Sequence, residues 1–104
     1  MMKKVSRNRL LSNAPGDKVF WVSDGRILKN LSEMVNALNT MSDDTYKFHT
    51  SGDKNDFADW VLQVFGSRKI YLKIKTMRKR EKVAQAVKKV LEVEKDKKKK
   101  KMAK

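Results

Sequence analysis

Residues 53–66 read DKNDFADWVLQVFG. Phe57, Trp60, Val61, Val64 and Phe65 recur at i, i+3, i+4, i+7 and i+8, which puts all five on one face of a helix. Asp53, Asn55 and Asp56 crowd the start, where a helix favours hydrogen-bond acceptors and acids. Gly66 stands where a left-handed residue ends such a helix. The spacing predicts a helix over 54–65 at the centre of a small helical fold. The same acids invite a calcium-loop reading, but a loop starting at Asp53 needs glycine at its sixth position and glutamate at its twelfth. Those positions hold Ala58 and Val64, so helix capping accounts for the acids.

Upstream, KVFWVSDGRIL (18–28) sets aromatic and β-branched residues on either side of Asp24-Gly25. That pair predicts a hairpin closed by a two-residue type I′ turn. Apolar residues on both faces of its first arm predict cover by helices, and Phe20, Trp21, Trp60 and Phe65 are assigned to the core. Asn30 and Glu33 match a capping box at the start of a helix over 31–40. Ser42-Asp43-Asp44 opens a second helix over 43–49, with Met41 and Tyr46 placed to staple it.

Downstream, RKIYLKIKTM (68–77) fits a strand through Ile70, Leu72 and Ile74, and a helix nearly as well through Ile70, Tyr71, Ile74 and Met77. Past Thr76, a plausible cap, Val83, Val87, Val90 and Leu91 form the apolar stripe of a helix over 77–95. Arg78, Lys82, Gln85 and Lys89 fall on its opposite face. Residues 96–104 have nothing to bury and are expected as a disordered lysine-rich tail, and residues 1–16 as a flexible basic arm. A single domain, 17–95, lies between them.

Ser23-Asp24-Gly25, Lys29-Asn30-Leu31, Met41-Ser42-Asp43, Phe48-His49 and Asn55-Asp56-Phe57-Ala58-Asp59-Trp60 together resemble a family of small archaeal and bacterial domains without established function. The resemblance spans roughly residues 19–66. It implies a mainly helical domain with a helix following Gly66, and it implies no catalytic site, cofactor or substrate. Where the family continues with acids after the glycine, this chain has Ser67-Arg68-Lys69.

Charge is the strongest functional signal. The net +14 divides into +4 over residues 1–14, −3 over 15–67 and +13 over 68–104. A mildly acidic middle between basic ends points to a polyanionic partner. Lysine outnumbers arginine, which suits sequence-blind phosphate contact better than the reading of base edges. Enzyme chemistry finds no support. The chain has no cysteine, no glycine-rich phosphate loop and no zinc spacing. His49 is the only histidine and has no evident nucleophile to serve; it is expected at a helix end, bonding a carbonyl. Asp43 and Asp44 suit the helix dipole better than acid–base work.

No apolar run approaches the roughly 20 residues of a membrane span, and the last helix lacks the aromatic face of a membrane-surface helix. The expectation is therefore a mainly α domain of four to five short helices with an N-terminal hairpin. It is expected to need no cofactor or metal and to bind nucleic acid without catalysis, DNA ahead of RNA, in the cytoplasm or nucleoid. The expected contacts are Arg68, Lys69, Lys73, Lys75, Arg78, Lys79, Arg80, Lys82 and Lys89, with Lys97, Lys98, Lys99, Lys100 and Lys101 of the tail. Alternatives are an RNA- or ribosome-associated role, or a protein-interaction module meeting its partner through the acidic middle.

Overall fold

The computed structural model describes residues 9–103, with side chains as far as Lys97. Two short strands, β1 (Phe20–Trp21) and β2 (Ile27–Leu28), precede helices α1 (Leu31–Thr40), α2 (Asp43–Thr50), α3 (Asp56–Trp60), α4 (Arg68–Ile74) and α5 (Arg80–Ala103). The architecture is mainly helical with one antiparallel hairpin, as the periodicities predict.

Four helices begin at a residue whose side chain accepts from a first-turn amide: Asn30, Ser42, Asn55 and Ser67. At α1, Glu33 reaches back to the amide of Lys29, one residue earlier than the cap itself. Helix α3 runs on as a π-helical turn, Val61–Phe65, and Gly66 closes it at φ +69°. The segment over 68–75, which fits both periods and for which the resemblance implies a helix, is α4.

The core is assembled from one stripe of each long helix. Leu31, Met34 and Leu38 of α1 are buried with Val83, Val87 and Leu91 of α5, and α5 lies chiefly along α1 while also meeting α4. Phe57 is fully buried and stacks against Phe20 at 4.8 Å and Tyr46 at 5.7 Å. The indole of Trp60 donates to the Lys18 carbonyl at 2.7 Å, so its one polar atom is satisfied inside the fold.

Several expectations need correction. The hairpin turn is not type I′, because Asp24 keeps a negative φ and only Gly25, at +101°, is positive. Val22 pairs with Arg26, and the Gly25 amide closes back on Val22, giving a three-residue loop with glycine at its last position. Trp21 is not core. It is 68% exposed, because strand alternation turns Phe20 inward and Trp21 outward with its cross-strand partner Ile27.

The arm expected over 1–16 is docked from residue 9 onward. Arg9 donates to the Val64 carbonyl at 2.6 Å, and Ala14 is buried with its amide on the Lys29 carbonyl. Lys3, Lys4 and Arg7 lie outside the described residues. Helix α5 starts at Arg80 rather than 77, with Thr76 not its cap. At its far end the backbone stays helical through Ala103, where a disordered tail was expected from residue 96. No glycine or proline interrupts residues 96–103, and the lysines, methionine and alanine there all favour helix. His49 is buried. Its Nε2 accepts from the Ser23 amide at 3.0 Å, leaving Nδ1 to donate to Asp56 at 2.9 Å, so it bonds no carbonyl.

Candidate nucleic-acid interface

Between Arg68 and Lys79 the chain carries six basic residues and no acid. The fold spreads these over α4 and the loop that follows it. Ile70 and Ile74 turn inward, which leaves Lys69, Leu72 and Lys73 on the exposed side of α4. Among the described residues no carboxylate pairs with Arg68, Lys69, Lys73, Lys75, Arg78 or Lys79. The Lys75 ammonium sits 5.3 Å from the Tyr71 ring centroid, a weak exposed contact that a phosphate can displace.

The loop leading to α5 is fixed from below. Asn55 is buried; its Oδ1 caps α3 by accepting from the Ala58 amide, while its Nδ2 donates to the Ile74 carbonyl at 3.2 Å. Tyr46 donates its hydroxyl to the Met77 carbonyl at 3.0 Å. Burial pushes the Tyr46 phenol above its ordinary value, partly offset by a hydrogen bond with Asn55. These anchors hold Lys75 and Arg78 opposite Lys47 and Lys54 across a cleft of about 520 Å³.

At the other end of α4, Arg68 and Lys69 share a second hollow, of about 670 Å³, with Glu94 and Lys97, where α5 passes. Lys97 is paired there with Glu94 at 3.6 Å. Lys79 joins Lys47 and Arg78 around a third, smaller hollow.

The row expected on the last helix is only partly realised. Arg78 precedes α5 and points its chemistry into the cleft instead. Lys82 and Lys89 are exposed on α5, but Glu81, Glu92 and Asp96 are exposed on it too, which dilutes its charge. Arg80 leaves the interface altogether. Its side chain is 16% exposed, and it donates to Asp43 at 2.9 Å and to the Leu38 carbonyl at 2.8 Å. It clamps the start of α5 to the end of α1 and the start of α2. The side chains of Lys98, Lys99, Lys100 and Lys101 lie outside the described residues.

Sequence reasoning missed Lys47 and Lys54. Both belong to the acidic middle of the chain, and only folding brings them beside Lys75 and Arg78. No linear signal marks them. Among the described residues, no three His, Asp or Glu side chains gather in a way that holds a metal ion, and no helix is long and apolar enough to cross a membrane. Comparison of the chain with protein-family models, curated proteins and solved structures gives no match.

Proposed function

We propose that this protein is a non-enzymatic nucleic-acid-binding protein that grips phosphates with little sequence preference, double-stranded DNA foremost, in a nucleoid- or chromatin-associated role. The observation that supports it is the acid-free run from Arg68 to Lys79, whose cations are exposed and without carboxylate partners among the described residues. Unpaired surface cations release counterions from a polyanion at little cost, because no internal ion pair has to break first. Structured RNA offers the same phosphates and is the alternative ligand.

The test is fluorescence anisotropy of labelled duplex DNA and RNA over about 50–300 mM salt, where four to eight phosphate contacts give a slope of roughly −4 to −7. A Lys69→Glu/Lys73→Glu/Lys82→Glu/Lys89→Glu variant is expected to lose about three to four units of that slope. Absence of binding to either nucleic acid at the lowest salt, or an unchanged slope in the variant, overturns the reading.

A second reading, a protein-interaction module, is favoured by the exposed Trp21–Ile27 pair on the outer face of the hairpin. Such a module keeps its partner at salt concentrations that strip nucleic acid from lysines, which separates the two readings.

A further inference from the structure

The cleft between residues 50–55 and 75–78 differs from the lysines exposed along α4 and α5 because its walls are held in place. Asn55 and Tyr46 tie the 75–78 wall to α3 and α2 through the Ile74 and Met77 carbonyls. The opposite wall turns at Gly52, whose φ of +68° a side chain adopts only with strain. At about 520 Å³ the cleft is of a size to take one nucleotide. Lys47, Lys54, Lys75 and Arg78 line it, and Asp53 is the only carboxylate among its lining residues, which leaves three positive charges in surplus. At its rim the Lys54 ammonium lies 5.3 Å from the centroid of Phe48, whose side chain is 60% exposed.

We propose that this cleft receives the phosphorylated end of a nucleic-acid strand. A terminal phosphomonoester carries a charge of about −1.5 to −2 near neutral pH. With the adjoining phosphodiester, the strand end presents close to three negative charges within one nucleotide, matching the surplus in the cleft. The interior of a duplex presents only singly charged diesters, spaced along a convex backbone, and those suit the separated lysines of α4 and α5. Phe48 supplies an open aromatic surface at the rim for the terminal base, whose stacking needs no sequence preference. The Lys54 contacts that must give way, to Phe48 and to Asp56 at 3.5 Å, are both exposed and weak. The proposal rests on the nucleic-acid reading and adds to it a preferred position on the strand.

The test uses the full-length protein and DNA hairpins whose single free end carries a 5′-phosphate, a 3′-phosphate or only hydroxyls, with a closed dumbbell that has no end. At about 150 mM salt a phosphorylated end is expected to bind roughly tenfold tighter than the hydroxyl end, the sum of two or three exposed charge contacts. Lys47→Gln/Lys54→Gln, both cleft residues outside the Arg68–Lys79 run, is expected to abolish that preference while binding the dumbbell nearly as well as the wild type. Equal affinity for phosphorylated and hydroxyl ends overturns the proposal, as does a preference that survives the double substitution. Failure to bind any of the four DNAs, or a duplex RNA, even at the lowest salt overturns the nucleic-acid reading itself. Independently of any substitution, titration of the wild type with inorganic phosphate is expected to shift the amide resonances of Gly52 and Thr76 first. Shifts confined to α5 overturn the assignment of the cleft.

Discussion

Asn55 is one side chain terminating two helices. Its oxygen satisfies the first turn of α3, and its amide nitrogen satisfies the Ile74 carbonyl at the end of α4 in a buried setting and the Lys75 carbonyl beyond it in a part-buried one. Asn55→Ala is expected to cost about 2–3 kcal/mol in urea denaturation, the sum of a lost cap and a buried carbonyl left short of a donor. Asn55→Asp separates the two roles: it keeps the cap but turns a donor into a carboxylate facing the Ile74 carbonyl. A variant as stable as wild type would show that the α4 contact contributes nothing. Tyr46 acts on the same loop. Because burial raises its phenol in the folded state, the stability it confers is complete below pH 10 and is lost as pH rises through the raised folded value. Tyr46→Phe is expected to cost about 1 kcal/mol at neutral pH, from the lost bond to Met77, and to flatten the alkaline decline in stability.

Helices α1, α2 and α3 were legible in the sequence because each has its own period and its own cap, both of which are local, whereas α5 shows its apolar stripe but not its starting residue. The stripe of Phe57, Trp60, Val61 and Phe65 is buried as its spacing predicts. What local pattern does not encode is which face meets nothing. Trp21 read as core because it sits in an apolar run, yet among the described residues no element covers the outer side of the two-stranded hairpin. For the same reason Lys47 and Lys54 read as part of an acidic middle, and Arg80 read as one more surface cation. Arg80 in fact joins three elements, so Arg80→Gln is expected to destabilise the fold by about 1–3 kcal/mol while leaving the salt slope of DNA binding unchanged. A lost unit of slope would return Arg80 to the interface. Gly66 is a second junction. Its left-handed φ ends the π-helical turn, and a Cβ there would meet the Arg9 guanidinium at 3.3 Å. Gly66→Ala is therefore expected to cost about 1–2 kcal/mol, measurable as a lower urea midpoint.

For the molecule as a whole, the decisive division lies between the basic surface carried on the packed core and the basic extension of α5 beyond its apolar stripe. The apolar stripe of α5 ends at Leu91, so a chain ending at Asp96 keeps every residue that α5 contributes to the core. It also keeps the α4 cations, the cleft and Lys82 and Lys89, and loses Lys97 to Lys101 together with Lys104. Its urea midpoint is expected to match that of the full chain, and its salt slope for duplex DNA to retain at least half the full-length value. The reason is geometric. Cations anchored on α4 and the 75–79 loop stand on a folded scaffold, and the α5 stripe that completes that scaffold is intact in the shorter chain. A truncated chain that folds but shows no salt-dependent binding would mean that the extension alone carries the grip, and that the folded surface serves a different partner.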